Sequence, residues 1–494
     1  MNTLQVIPTL QVAVNGAPLP QADLLGLERV MVRQQISQPA RCELIFSGSL
    51  KLVPGNDLRL ALENQPTPMF EGKITAVEYS YGPSREFEMR IRGYDPLHQL
   101  RQQQAPRAHT DLTVASLAAD LAAGVGLSIQ AEQAGPIWKY LIQHEQSDLE
   151  FLADLADRCG LYFAVHDGAL QLFTLEGIGE VLPLTLYDSL LEATFELNAD
   201  TACPAVYAEG WNVLQSDPQS ATASTARSQR QNVVDSGGAS VRTLLNQATE
   251  DLAQAEAVAQ AELDWRVAQE IELWGITEGD PRLHPGAVIR VDGVDAPLAG
   301  NYVVMEAIHT IDAEKGYLVE LSTHPPARRQ PRPASVTAPG IVTQIEDPLN
   351  LGRVRVRLTT FSDVETDWIA VLSAGAGTGK GLIALPNVGD YVLVLLSRED
   401  PARGIVLGGL YGVDAPPDVG LENGARRRFT LRTSSGHQIQ MDDAVPSLTI
   451  QDSRGSFITL APDKVTLHST ADLDIGAPGR KVTIHGQSID FNRS

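Results

Sequence analysis

The stretch Ala374-Gly375-Ala376-Gly377-Thr378-Gly379-Lys380-Gly381 comes nearest in this chain to a phosphate-binding loop. Such a loop needs Gly at the first position and Ser or Thr after the Lys to hold magnesium, and it must open a helix. Here Ala374 and Gly381 occupy those positions and a strand pattern follows, so nucleotide binding is not expected. His144-Glu145 begins like a zinc-protease HExxH, but Asp148 stands where the second histidine belongs, which removes the helix-face ligand pair that zinc requires. His468 and His485 could each supply three ligands on a threefold axis; His485 stands alone beside Ile484, so a surface histidine is the expectation. Arg426-Arg427-Arg428 reads as a solvated charge run, and Asp442-Asp443 as a turn pair, because adjacent strand residues point to opposite faces. No Gly-x-Ser-x-Gly elbow and no Cys-x-x-Cys pair occurs. These motifs predict no catalytic residue, no cofactor and no metal.

The elements that would have to position such groups point elsewhere. Phe429 to Phe491 holds eight units in which two apolar residues flank a polar one: Phe429-Thr430-Leu431, Ile439-Gln440-Met441, Leu448-Thr449-Ile450, Ile458-Thr459-Leu460, Val465-Thr466-Leu467, Leu473-Asp474-Ile475, Val482-Thr483-Ile484 and Ile489-Asp490-Phe491. Period-two alternation marks strands with one buried face. The units recur every seven to ten residues with turn formers between them. Two apolar residues per strand cannot cover themselves, so the units must bury one another. With no Asn-Gly or Asp-Gly pair inside the run, three chains wound into a prism are expected over a small sandwich of hairpins, giving a needle on the order of 40 Å long at about 4.8 Å per strand. Its core and tip are read as Ile458, Leu460, Val465, Leu467, Leu473, Ile475, Val482, Ile484, Ile489 and Phe491.

The 494 residues carry a net charge of −23 and 43% apolar residues, which suits a folded, multidomain protein and argues against a nucleic-acid or anionic-membrane binder. The N-terminus has no secretory signal pattern, and no run of about 18 apolar residues exists, so synthesis and assembly in the cytoplasm are expected. Cys42, Cys159 and Cys203 read as reduced, mostly buried thiols.

Residues 4–95 pattern as strands of a barrel or sandwich. Two helices follow, Thr113–Ala123 and Ser147–Arg158, the second with Ser147 and Glu150 at capping-box spacing and Gly160 past its end. Residues 215–246 read as a surface excursion, Glu250–Val267 as a long Ala-rich helix, and strands resume to Val319. The expected domains are 1–322, a Pro/Arg-rich linker at 323–340, a small barrel of the OB type at 341–412, a connector at 413–424 and the needle at 425–494. The fold class is mainly β: barrel-like hub domains with a few helices, an OB barrel, and a trimeric intertwined β-helix.

Pro339-Gly340-Ile341-Val342, Gly352-Arg353-Val354-Arg355-Val356, Leu385-Pro386-Asn387-Val388-Gly389-Asp390 and Gly404-Ile405-Val406-Leu407-Gly408-Gly409-Leu410-Tyr411 resemble the OB barrel of valine-glycine-repeat (VgrG-like) spike proteins. These serve type VI secretion systems, extracellular contractile injection systems and contractile-tailed phages. Ser147-Asp148-Leu149-Glu150-Phe151-Leu152 running into Gly160-Leu161-Tyr162-Phe163 resembles the baseplate-hub or late-control domain of the same family, and Ser434-Ser435-Gly436-His437 with Met441-Asp442-Asp443 its entry to the triple-stranded β-helix. The resemblance implies a homotrimer whose N-terminal parts form a pseudo-hexameric ring on a hexameric inner-tube protein within a baseplate. It also implies an OB collar and a membrane-puncturing point capped by a PAAR-repeat tip protein, with a cargo effector as a further partner. No lysozyme lies between barrel and needle, and the chain ends just after the last unit, which favours an extracellular or cytoplasmic phage-tail-like particle. The alternatives are a type VI secretion spike, a tail spike with peptidoglycan hydrolase activity, and a receptor-binding trimeric fibre.

Overall fold

The β patterning of the first hundred residues produces seven strands: β1 (Leu10–Val14), β2 (Ala17–Pro18), β3 (Leu27–Gln35), β4 (Arg41–Phe46), β5 (Asp57–Leu62), β6 (Phe70–Tyr81) and β7 (Phe87–Tyr94). In the computed structural model, which describes residues 9–63, 65, 67–83, 87–143, 146–212, 217–230, 240–247, 249–328, 336–396, 404–412 and 415–491, these strands do not close on themselves. They join β14 (Leu190–Leu197), β18 (Ile271–Glu278), β21 (Glu306–Asp312) and β22 (Gly316–Ser322) in one eleven-stranded sheet of order β14-β18-β22-β21-β3-β4-β7-β6-β5-β1-β2. Alternation sets its buried face: Val30 and Val32 of β3 are 1% and 0% exposed, whereas Arg29 and Arg33 on either side of the pair face water. One core runs through both ends, from Leu44, Phe46 and Leu58 to Leu273, Val319 and Leu321. The strands expected at 4–95 as a barrel or sandwich form here, and their sheet is extended by β21, which pairs with β3 from more than 200 residues away.

The two ends of that sheet repeat one another. Ser47-Gly48-Ser49-Leu50-Lys51-Leu52-Val53-Pro54-Gly55 corresponds to Glu278-Gly279-Asp280-Pro281-Arg282-Leu283-His284-Pro285-Gly286. Gly55 and Gly286 both adopt positive φ, 96° and 90°. Each donates its N–H at 2.8 Å, to Ile74 O and Val304 O, and each of those residues returns an N–H at 2.9 Å, to Asn56 O and Ala287 O. Gly is required at both turns because only it adopts this backbone without strain. With β19 (Ala287–Asp292) and β20 (Gly300–Val303), the second half pairs β19 with β20 as the first pairs β5 with β6, and β18 with β22 as β4 with β7. Even the bulges match: β3 slips against β4 between Leu27 and Arg29, and β14 against β18 between Leu190 and Glu192.

A helical lobe interrupts the repeat. Helices α2 (Val114–Gly124) and α3 (Asp148–Arg158) follow a four-residue α1 (Gln21–Leu24), and pack by the sheet of β9 (Ser128–Ala131), β12 (Ala169–Phe173) and β11 (Tyr162–His166). Helix α3 starts as its sequence requires: Glu150 N–H donates to Ser147 Oγ at 3.3 Å and Ser147 N–H to Glu150 Oε2 at 2.8 Å. Leu149, Leu152 and Leu155 are buried, and Gly160 closes the helix at φ 65°. Strands β8 (Arg107–Leu112) and β10 (Trp138–Gln143) pair alone, and β13 (Ile178–Thr185) joins β19. Residues expected to be a surface excursion contribute β16 (Asp217–Ala223) and β17 (Arg242–Gln247) on either side of β15 (Val206–Asn212), under α4 (Leu252–Ala268). Cross-strand pairing with the neighbouring β15 makes strands of a polar stretch that shows no periodicity by itself. Cys42, Cys159 and Cys203 are buried free thiols, and burial pushes Cys159 up to about 12.

Lobe and sheet meet at three histidines. His166 stacks on His284 with ring centroids 3.9 Å apart, and His309 in β21 is buried with Nδ1 2.9 Å from Tyr317 Oη. Burial lowers His284 and His309 to about 4. A neutral buried histidine favours the fold above its unfolded pKa of about 6.5, and that contribution drains away as pH falls toward 4, up to ~3 kcal/mol for each ring. The melting temperature should therefore drop steeply between pH 6.5 and 4 and less so in His309→Gln; a flat profile across that window would contradict it.

The expected linker at 323–340 is tied down at its start, where Arg328 donates to Glu262 Oε2 at 2.7 Å and to Asp157 O at 2.9 Å, and Trp265 Nε1 to Pro326 O at 2.9 Å. Strand β23 (Val336–Gln344) begins inside it. With β24 (Arg355–Leu358), β25 (Val364–Glu365), β26 (Ala370–Val371), β27 (Tyr391–Leu396) and β28 (Gly404–Gly409), β23 forms a six-stranded sheet of order β25-β24-β23-β27-β28-β26 around Val342, Val356, Leu358, Val392, Val394 and Val406. The chain divides into two compact units, residues 1–409 and 410–494.

Candidate assembly surface

The second unit begins with a small hairpin, β29 (Leu421–Glu422) and β30 (Ala425–Arg426), turned by Asn423 and Gly424 at φ 49° and 75°. Five strands then follow in a meander: β31 (Arg428–Arg432), β32 (Gln438–Asp442), β33 (Ser447–Gln451), β34 (Phe457–Leu460) and β35 (Val465–His468), each antiparallel to the last. The first five apolar-polar-apolar units thus pair within one chain. Their turns use a longer Asp-led form where Asn-Gly was sought: Asp442 Oδ1 accepts the N–H of Ala444 and Val445, and Asp452 Oδ1 those of Arg454 and Ser456.

Register stacks the apolar side chains in two columns. Phe429, Met441, Leu448, Leu460 and Val465 lie across from one another in turn, as do Leu431, Ile439, Ile450, Ile458 and Leu467. The middle residues Thr430, Gln440, Thr449, Thr459 and Thr466 form the opposite face, with Thr449 and Thr459 hydroxyls 3.0 Å apart. The apolar face is uncovered in its own chain: Leu431 is 58% exposed, Ile450 49%, Leu467 53%. On the polar face, beside Thr430, Arg428 is held by Asp418 through Nε and Nη2, both 3.0 Å, and the guanidinium keeps the Asp418 carboxyl well below the usual range.

Of the ten residues expected as needle core and tip, Ile458 faces Leu467 and Leu460 faces Val465. Leu473, Ile475, Val482, Ile484, Ile489 and Phe491 are exposed and lie beyond the last strand. Phe429, Leu431, Ile439, Met441, Leu448 and Ile450 join the same face, which period-two counting had marked as strand but not as core.

In the first unit, the Gly352-Arg353 motif closes the β23–β24 connection. Arg353 donates to Asp347 from Nη2 at 2.6 Å and Nε at 3.0 Å, and Asp347 also accepts the N–H of Leu349 and Leu351. Arg353 thereby holds the Asp347 carboxyl far below its ordinary value. The Gly-rich stretch 374–381 is an exposed turn region that runs on to β27 with no helix following. His144 and Glu145 lie outside the described residues. His468 stacks on Phe457 at 5.1 Å and His485 is exposed. Asp442 ends β32 opposite Arg428 and Asp443 begins the turn, its N–H donating across the strand pair to Arg427 O. Among the described residues no group of three or more His, Cys, Asp or Glu is arranged to hold a metal ion, and no helix is long and apolar enough to cross a membrane.

Comparison with known proteins agrees with this architecture. Residues 338–411 match the type VI secretion system/phage-baseplate injector OB domain. A 130-residue stretch is 28% identical to the type VI secretion system spike protein VgrG3 of Vibrio cholerae serotype O1, covering 25% of this chain and 12% of that protein's length. The E. coli c3393 protein, a type VI secretion component with structural similarity to the T4 bacteriophage tail proteins gp27 and gp5, superposes over 81% of this chain and 99% of its own. Its TM-score is 0.55 and its identity 15%. The 43 kDa tail protein of prophage MuSo2 from Shewanella oneidensis aligns over 63% of this chain and 97% of its own, at TM-score 0.49 and 13% identity. The chain is mostly β with an OB domain, and over these stretches it resembles the spike and tail proteins of the phage-baseplate and type VI secretion class. Residues 28–313, more than half its length, match the Alg8 N-terminal domain, and the chain belongs to that family.

Proposed function

We propose that this chain is the central spike of a contractile injection system, and that three copies assemble through the apolar face of β31–β35. The observation that carries this reading is the pair of five-residue apolar columns on a single-layer sheet that its own chain leaves bare. Half-burying ten such side chains is worth on the order of 10 kcal/mol per chain, comparable to the cost of association, so three faces closed on one axis are self-sufficient. Residues 1–322 then serve as the hub on a hexameric inner tube and baseplate, 341–412 as the collar, and 425–494 as the needle, with 323–340 and 413–424 joining them.

Leu473, Ile475, Val482, Ile484, Ile489 and Phe491 carry the apolar series to a tip that a PAAR-repeat protein caps. On sheath contraction the needle concentrates force on the target membrane, and its closed β surface leaves few strand edges to unravel. The chain does mechanical work and no chemistry. The VgrG3 match favours a type VI secretion spike as the second reading.

Deleting the gene should leave source cells without tube-bearing contractile particles in negative-stain electron microscopy, with re-expression restoring them. Normal particles in the deletion strain would overturn the proposal.

A further inference from the structure

The outward face of the eleven-stranded sheet changes sign across its width. In β3, β4 and β7 it carries Arg29, Arg33, Arg41, Arg90 and Arg92. These arginines are matched by carboxylates beside them, as where Arg92 Nη2 donates to Glu78 and Arg90 Nη2 to Glu88, each at 2.9 Å. The strands of the other repeat half, β14, β18, β21 and β22, hold seven carboxylates and no lysine or arginine. Because the two halves share one fold, the fold demands neither charge.

The acidic half is set against its own pairing. Glu196 and Glu272 stand directly opposite one another, and like charges so placed weaken a strand pair. Glu306 is met by Arg33, Asp312 by Arg29 at 4.0 Å, and Glu272 Oε1 by His324 Nδ1 at 2.7 Å. Among the described residues Glu192, Glu278 and Glu320 meet no cation; Glu320 accepts Trp274 Nε1–H at 2.8 Å. Apolar surface lies between these carboxylates. Register sets Glu192, Ile276, Glu320 and Ile308 in one row across four strands, and Glu278, Leu318 and Thr310 in the next. Trp274 is 37% exposed, and Ile276, Ile308 and Leu318 are half-buried on the side away from Leu273, Val319 and Leu321, joining none of the described apolar clusters.

We propose that this half of the face docks a basic, amphipathic segment of a partner protein. Its apolar side chains cover Ile276, Ile308 and Leu318, and its Lys or Arg side chains meet Glu192, Glu278 and Glu320. The charge selects the occupant: an acidic or neutral segment would desolvate these carboxylates beside the apolar contact and leave them unpaired, whereas a basic one pairs them. A cation placed over Trp274 is attracted by the indole face as well. The face belongs to the first unit of the chain and the C-terminal apolar columns to the second, so docking here neither requires nor tests a trimer.

The test titrates the full chain into a fluorescent peptide of about five helical turns, made of Leu and Lys with the Leu on one face. At about 0.15 M salt the chain's overall charge is screened beyond about 8 Å, which leaves contact pairing to decide affinity. The Leu/Lys peptide should bind at micromolar concentration, and a peptide with Glu in place of every Lys should not. Glu192→Lys with Glu320→Lys, two exposed positions, should weaken binding by about tenfold or more, and Trp274→Ala should weaken it with no change in net charge. Glu132→Lys with Glu256→Lys makes the same change in net charge at exposed positions off the sheet and should leave affinity within about twofold. Equal weakening by the two double variants overturns the proposal, since net charge alone would then account for binding, and so does a wild-type chain that binds neither peptide. An assembly that loses mass in light scattering only in Glu192→Lys with Glu320→Lys assigns the face to a second copy of this chain and overturns a separate partner.

Discussion

Ile450→Asp should turn the assembled protein into monomers while leaving both units of the chain folded. Ile450 sits in the middle strand of the C-terminal meander, between Ile439 and Ile458, and is 49% exposed in its own chain. An aspartate there stays solvated in the monomer and costs at most about 1 kcal/mol in strand preference. In a closed trimer the same change crowds three carboxylates around one axis away from water, at several kcal/mol each. Association should weaken by more than about a thousandfold, since each 1.4 kcal/mol is a factor of ten. Light scattering at micromolar concentration reads the result, and a trimer of unchanged mass would sink the model. Ile484→Asp should have the same effect if the apolar face continues past β35; a trimer that survives this change but not Ile450→Asp confines the interface to the strands.

The second large effect belongs to the OB barrel. Asp347→Ala should destabilise it by about 3–5 kcal/mol, because it strands a nearly buried guanidinium and removes the acceptor for the N–H groups of Leu349 and Leu351. Replacing both partners, Asp347→Leu with Arg353→Met, should cost less, since no charge is then left unpaired. The pH dependence has a definite sign. A carboxyl lowered in the folded state contributes stability above its unfolded value of about 3.9, and loses it as pH falls toward the folded value. Denaturation of the wild type should therefore show an acid-dependent loss below pH 4 that the Asp347 variants lack. Hydrogen exchange of the β23 and β24 amides locates the effect, and unchanged protection in Asp347→Ala would refute it.

Much of this was legible in the order of residues. Ser147, Glu150 and Gly160 bound a helix by local hydrogen bonding, and the alternation of residues 429–467 named the strands and their apolar sides, because a period of two fixes which face a side chain takes. The short strands of residues 341–412 marked a small barrel. The tandem hub repeat was visible too, in Leu52-Val53-Pro54-Gly55 against Leu283-His284-Pro285-Gly286, but α2, α3, α4 and other sheets stand between the copies, and strand patterning alone does not register a match at that separation.

What only the tertiary structure decided is which strand lies beside which. Alternation is the same whether β32 pairs with its own chain or another, and whether β3 pairs with β21 or with nothing. Register between distant strands depends on surfaces that meet only after folding. Polar segments such as 217–223 and 242–247 likewise became strands, through pairing with β15 and with no apolar period of their own. The sequence by itself therefore determined the faces this protein must bury, and the fold determined that one of them, the meander's columns, remains uncovered in a single chain.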